Sequence, residues 1–419
     1  MGYTCETLQF YKHKINASMK SLLHSPNRTD ISKLLNAAFV LTIMFFMSSC
    51  GQEKQHSAVQ PDCTTLTAEN ADDCIRLNQI QVLGTHNSYK LDLPETLIEA
   101  VNTFLPGWSE NIEYGHRPLS EQLELLGIRQ FEIDIFADPE GGLFARPQGA
   151  LMSGDSLFID REEMLEPGYK VLHVQDIDYR SVCLTFVSCL EEVREWSIAN
   201  PTHLPIMILV ELKDSQATSR GEFALTQPVE ITASMILDVD QEILSVFDRS
   251  HLIMPDDVRG EFETLEQAVT EAGWPTLAQS RGKILFALDN TGRHRDDYIS
   301  HSEDLSGLVM FPSSAPGEPT AGFIKMNNVL ADAELIRSYV EQGFIIRTRS
   351  DIPNQEARSG DTTRRDLALA SGAQYVSTDY PEVSPFGSGF IVTLPGAEGP
   401  GICNPVNAPE GCHNSWIVE

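Results

Sequence analysis

Basic residues are scarce in this chain: 30 lysines and arginines stand against 60 acids, a formal charge of −30. A protein that binds by neutralising nucleic-acid phosphates needs the opposite balance, so no nucleic-acid partner is expected. The clustered lysines that grip polyphosphorylated headgroups are also missing. A phosphorylated substrate would therefore be met by a metal cation or by a few focused basic residues. There is no CxxC pair and no histidine pattern at zinc-finger spacing, which argues against a cysteine-held zinc. Internal repeats and low-complexity tracts are absent, and no apolar run reaches a comfortable membrane span.

What is present is a chain of 419 residues, 42% hydrophobic, long enough to bury a large core as one domain or two. Its first fifty residues stand apart. Scattered basic residues (Lys12, Lys14, Lys20, Arg28 and Lys33) precede the apolar run "LLNAAFVLTIMFFM", followed by Ser48, Ser49 and Cys50. This is the make-up of a signal-peptide core. Small residues before a cysteine resemble the bacterial lipoprotein processing signal, although Met47 stands where leucine is usual. A start at Met19 would give a leader of more ordinary length. The expectation is a leader over 1–49 and lipidation of Cys50, giving an exported, membrane-anchored lipoprotein facing the periplasm or the exterior. Six further cysteines fall in close couples: Cys63 with Cys74, Cys183 with Cys189, Cys403 with Cys412. An even count in local couples fits three short disulfides in an oxidising compartment, although spacing alone does not fix connectivity.

From residue 80 onward, strand-like runs alternate with helical segments. The runs are 80–85, 129–136, 170–174, 205–212, 283–288, 308–311, 344–349 and 375–378. Between several of them lie amphipathic stretches such as "LSEQLELLG", with Ser120 as cap, "CLEEVREWSIAN" and "ADAELIRSYVEQG". Strands alternating with helices over some 300 residues predict an α/β fold of the TIM-type (β/α)8 barrel kind, with a doubly wound open sheet as the runner-up. Long connections follow the second and fourth runs, at 137–169 and 213–282. The stretch "FIKMNN" (323–328) is a further strand candidate. The division expected is an N-terminal linker over 50–79, a barrel over 80–392 and a C-terminal tail over 393–419, each flanking piece carrying a local disulfide.

Polar residues at strand ends carry the chemistry. "QVLGTHNSY" ends an apolar run on His86 and Asn87. In "RQFEIDIF" Glu132 and Asp134 are two apart and share a face of an apolar strand, where they repel each other and lose hydration. A cation would relieve both penalties. Glu211 ends the apolar run "IMILV", and His173 sits in "VLHVQD". If these ends meet at one barrel mouth, Asn87, Glu132, Asp134 and Glu211 form an all-oxygen set suited to Ca2+, with His86 and His173 beside it as acid and base. Either histidine alone is more often structural. Basic residues at the same mouth are Lys213, Arg347 and Arg349, with Asp379 as a polar partner; surface salt bridges are the bland alternative for the cations. His116 and Arg117 are weaker candidates.

The segments "GTHNSY", "LSEQLELLGIRQFEIDIF", "VLHVQDID", "ILVELKD", "GWPTLAQSRGKILFALDN", "FIIRTRSD" and "SGAQYVSTDYP" resemble, in order, the bacterial calcium-dependent phosphoinositide-specific phospholipase C family, over residues 80–385. The resemblance implies a barrel-shaped phosphodiesterase with Ca2+ as cofactor. By motif, His86 and His173 match the catalytic histidines, and Asn87, Glu132, Asp134 and Glu211 match the calcium ligands. It implies attack by an inositol hydroxyl on phosphorus to give a cyclic phosphate and diacylglycerol. His173 then protonates the leaving glycerol oxygen, His86 donates to a phosphoryl oxygen and a carboxylate such as Glu132 or Glu211 is the base, with these roles exchangeable. The expected partner is a phospholipid headgroup, met by a monomer. The leader, the cysteine-bearing ends and the 137–169 loop are not explained by the resemblance. Two alternatives stay open. A glycerophosphodiester phosphodiesterase usually has His-Arg where this chain has His86-Asn87, and a surface lipoprotein that binds lipid or sugar without chemistry has no need of both histidines.

Overall fold

The computed structural model describes residues 62–215 and 225–419. The expected leader and Cys50 lie outside the described residues. Among the described residues there are eleven strands: β1 Ile80–Thr85, β2 Gln130–Asp138, β3 Gly168–Val171, β4 Ile206–Leu212, β5 Leu252–Ile253, β6 Ile284–Leu288, β7 Met310–Pro312, β8 Phe323–Lys325, β9 Ile345–Arg349, β10 Tyr375–Thr378 and β11 Gly401–Cys403. Eight of them run parallel around a ring, β1-β2-β4-β6-β7-β8-β9-β10 and back to β1. This is the eight-stranded α/β barrel, and it is irregular at two seams. β1 and β2 share one pair, Gly84 with Gln130, and β7 meets β8 through the single bridge Ser313–Phe323. At the first seam the backbones converge on a glycine for a steric reason. A Cβ on Gly84 would lie 1.9 Å from Oε1 of Gln130.

Apolar strands with both faces covered account for the ring. Every residue from Ile206 to Val210 is fully buried, as are Phe131, Ile133 and Ile135. Helices Phe186–Ala199, Ala233–Val246, Val329–Glu341 and Thr363–Ala370 lie between ring strands in the chain. The first of these is capped by Thr185, whose hydroxyl accepts from the backbone N–H of Ser188 at 3.1 Å. Ser120 is not a cap: it lies inside the helix Leu119–Leu126, which starts after Pro118. Its N–H and hydroxyl both donate to Glu192, at 2.8 and 2.7 Å.

Two assignments of strands to the barrel are corrected. The 170–174 run contributes no ring strand. Its first residues belong to β3, which folds back antiparallel on β2 (Ile135 opposite Val171, Asp138 opposite Gly168) and forms a hairpin. The vacated place is taken by β8, within "FIKMNN". The long connections therefore follow the second and third barrel strands. All three disulfides form in the local couples. The flanking segments are tied to the barrel: β11 pairs antiparallel with β1, and Ile75, Leu77 and Ile417 are buried in the main core. Among the described residues no helix is long and apolar enough to cross a membrane.

Candidate active site

The carboxyl ends of β1, β2 and β4 bring the acids together. β2 and β4 pair in parallel with Asp134 opposite Glu211. Glu132, Asp134 and Glu211 each present a carboxylate oxygen within 4.8 Å of the others. Asn87 stands beside this group. Its neighbour Ser88 donates its backbone N–H to the Glu132 carbonyl at 2.9 Å and accepts the Glu132 N–H on its hydroxyl at 2.8 Å. Asn87 adopts a left-handed conformation, φ 47°, a region Asn tolerates better than most residues. Its amide nitrogen donates to the Tyr114 hydroxyl at 2.8 Å, which leaves the amide oxygen available as a ligand.

These acids fit a divalent cation. Asp134 is fully buried, its Oδ1 has no hydrogen-bond donor, and its Oδ2 meets only the Lys213 ammonium at 3.1 Å. Its pKa is pushed up by burial and by the charges of Glu211 and Glu132, against the pull of Lys213. The Glu132 carboxyl is pushed up to about 7 by burial, with Arg347 opposing and Asp289 and Glu211 adding to the rise. A site of hard oxygen donors with no thiolate and an orphaned buried carboxylate oxygen suits Ca2+. Lys213 reaches into the cluster, its ammonium 3.1 Å from Asp134 and 3.4 Å from Glu211.

Both histidines are held from behind by a carboxylate. His86 Nδ1 lies 2.8 Å from Asp379 and its Nε2 lies 3.7 Å from Glu132. Burial lowers the His86 pKa well below its ordinary value, and the positive charges of Arg349 and Arg347 lower it further. His173 Nδ1 lies 2.8 Å from Asp178, whose other oxygen faces the fully buried Lys90 at 3.4 Å. The Lys90 ammonium donates to the carbonyls of Ile112 and Tyr114 at 2.7 and 2.6 Å. With one imidazole nitrogen engaged, each ring has Nε2 left for the mouth.

The two arginines of β9 point into the barrel and are buried. Arg347 donates to Glu132, to Ser377 at 2.8 Å and to Asn327 at 2.7 Å. Arg349 donates to Asp379 at 2.9 Å. Their guanidinium groups are thus spent on the acids that shape the site. Lys213 is partly exposed beside the carboxylate cluster. His116 backs the His86 carbonyl at 2.9 Å, and Arg117 forms an exposed ion pair with Glu382 at 2.8 Å. Sequence reasoning missed Tyr114, Asp178, Lys90 and the Asp289–Lys325 pair. Asp289 alone left a signal, as an acid directly after the apolar run that becomes β6. Lys325 ends β8 within "FIKMNN", and Tyr114, Asp178 and Lys90 lie in connections with no periodic context.

An eight-stranded α/β barrel with an acidic oxygen cluster and two carboxylate-backed histidines at one mouth defines a metal-assisted phosphodiesterase architecture. Residues 75–405 match the family model of the Ca2+-dependent phosphoinositide phospholipases C. The chain belongs to that family: it is a phosphoric diester hydrolase with Ca2+ as cofactor and phosphoinositide phosphodiesters as its substrate class. Similar solved structures include the calcium-dependent phosphoinositol-specific phospholipase C of a Pseudomonas species (14% identity, 75% of this chain and 93% of that one, TM-score 0.48). Another is the Ca2+-dependent phosphatidylinositol-specific enzyme of Streptomyces antibioticus (18% identity, 74% and 97%, TM-score 0.46). A glycerophosphoryl diester phosphodiesterase of Parabacteroides distasonis is similar at 15% identity (75% and 93%, TM-score 0.27). No curated protein sequence matches the chain.

Proposed function

We propose that this enzyme cleaves phosphatidylinositol-type lipids by attack of the neighbouring inositol hydroxyl on phosphorus, releasing diacylglycerol and a cyclic inositol phosphate. The observation that carries this reading is the pair of histidines, each with Nδ1 against a buried carboxylate, flanking one oxygen-ligand cluster. Asn87, Glu132, Asp134 and Glu211 hold the calcium, which when bound supplies Lewis-acid stabilisation of phosphoryl charge and lowers the hydroxyl pKa. His86 takes the proton from the attacking hydroxyl on Nε2 while Asp379 fixes its tautomer. This exchanges the roles expected from the sequence, because Glu132 is engaged by Arg347 and is one of the oxygens offered to the metal. His173, steadied by Asp178, protonates the glycerol oxygen as the P–O bond breaks. Lys213 supports a phosphoryl oxygen from the mouth. Removal of water from the phosphorus by the bound lipid favours the intramolecular attack, so no covalent enzyme intermediate is needed.

Export is supported by the three disulfides, and anchoring through a lipidated Cys50 is part of the proposal. The test is a panel of phosphodiesters, phosphatidylinositol and glycerophosphocholine among them, assayed with calcium and with chelator and followed by phosphorus NMR. The expected outcome is calcium-dependent cleavage of the inositol lipid with a cyclic phosphate signal. Full activity in chelator, or preference for glycerophosphocholine, refutes it.

A further inference from the structure

The chain between β2 and β3, residues 139–167, is the part of the catalytic end that the chemistry leaves unused. β2 continues to Asp138, four residues past Asp134. At about 3.3 Å per residue the β2–β3 hairpin carries this insertion roughly 13 Å beyond the carboxylate cluster, beside the mouth. The insertion is a folded platform. Phe144, Ala145 and Met164 are buried with Phe136, Leu172 and Leu184 in a small core separate from the barrel's. Gly141 approaches the backbone so closely that a Cβ there would lie 2.1 Å from the Leu165 carbonyl.

Exposed large apolar side chains are concentrated on this platform. Leu143, Leu151, Met152, Leu157 and Leu165 are 36–68% exposed, and these are five of the twelve exposed large hydrophobic side chains among the described residues. Leucines standing out from a rigid body next to a lipid-cleaving mouth form an interaction surface rather than scattered surface apolarity. The charge around them selects the partner. Residues 139–167 hold six acids and two arginines. Both arginines are paired, Arg146 with Asp160 at 3.6 Å and Arg161 with Glu163. The net negative charge of this segment repels anionic headgroups, so the fitting partner is the interface of a neutral-headgroup bilayer, entered by apolar side chains.

We infer that the 139–167 platform is the membrane-contacting surface of the enzyme, seating its exposed leucines in a neutral lipid interface so that the mouth is held at headgroup level. This rests on the lipid phosphodiesterase reading above. The experiment uses the full chain carrying Cys50→Ala, so that no attached lipid holds it to a membrane. Sedimentation with phosphatidylcholine vesicles, with and without phosphatidylglycerol, reads binding. Turnover of phosphatidylinositol in those vesicles and of water-soluble glycerophosphoinositol reads activity. Each of Leu157→Ser and Leu165→Ser is expected to weaken vesicle binding about tenfold, and the pair to abolish turnover in vesicles while sparing the soluble substrate. Leu244→Ser with Leu330→Ser, exposed on helices outside the platform, is expected to change neither. Unaltered vesicle binding by the platform pair, equal loss in the control pair, or binding that strengthens with phosphatidylglycerol overturns the inference. If the wild type cleaves neither substrate yet the platform pair loses vesicle binding, the surface stands and the proposed activity falls.

Discussion

Replacing Asp134 with Asn separates the metal site from the fold in one measurement. Asp134 is a buried carboxylate whose Oδ1 has no hydrogen-bond donor, set against Glu132 and Glu211. Without calcium its charge is opposed by its two neighbours and offset by Lys213. In the proposed site it is a calcium ligand. Calcium at one hundred times its dissociation constant stabilises the folded state by about 2.7 kcal/mol. The unfolding entropy is about 2.1 cal/mol/K per residue, or about 0.75 kcal/mol/K for a folded unit the size of Pro61–Glu419, so calcium should raise the melting temperature by about 4 °C. The Asp134→Asn protein is expected to melt no lower than wild type in chelator, because one of three mutually repelling charges is gone. It should show no calcium-induced rise and no turnover. Differential scanning calorimetry in chelator and in calcium reads both quantities. A variant that keeps the full calcium-induced rise refutes the placement of the ion among these carboxylates.

Three further outcomes follow from the geometry. Asp178→Asn should keep the calcium-induced rise in melting temperature while turnover falls about 10²-fold or more, since His173 loses the carboxylate that orients it; unchanged turnover would remove His173–Asp178 from the reaction. Asp240 is buried and its pKa is pushed up from 3.8 to about 7 by burial, which the hydrogen bonds from Val309 and Tyr298 only partly oppose. Because the folded state binds this proton more tightly than the unfolded chain, stability is greatest below pH 4 for this group and falls as pH rises towards 7, by on the order of 4 kcal/mol. Asp240→Asn should flatten that part of the urea-denaturation profile against pH, and an unchanged slope would show that another group causes it. Gly84→Ala places a methyl 1.9 Å from the Gln130 side chain at the thin β1–β2 seam and should cost about 1–3 kcal/mol in chemical denaturation; a neutral result would mean that the seam opens freely.

Much of the barrel was legible because seven of its eight strands are apolar runs that end on polar residues. The 170–174 run misled because an antiparallel return strand carries the same apolar side chains as a ring strand, and only its pairing with β2 tells them apart. β8 is three residues long, too short for periodicity to outweigh its neighbours. The acids Glu132, Asp134 and Glu211 were readable because charge on a buried strand demands a partner, and the structure gathers them within 4.8 Å. Asp178 and Tyr114 were not, because a carboxylate in a turn and a tyrosine in a loop become informative only once their partners are known. For Arg347 and Arg349 the two-residue spacing correctly put both on one side, but it says nothing about whether an arginine meets a substrate or an internal acid.

The β2–β3 hairpin ties the two halves of the site to a single ruler. Glu132 and Asp134 lie on β2, and His173 follows β3 two residues after Val171, which sits opposite Ile135. The separation between these carboxylates and the imidazole is therefore counted in rungs of one ladder. A slip of one rung would move His173 by about 3.4 Å and turn alternate side chains to the opposite face. Insertions and deletions at the hairpin's tip leave those rungs untouched, so the outer surface of this enzyme is free to diverge while its chemistry keeps the same gauge.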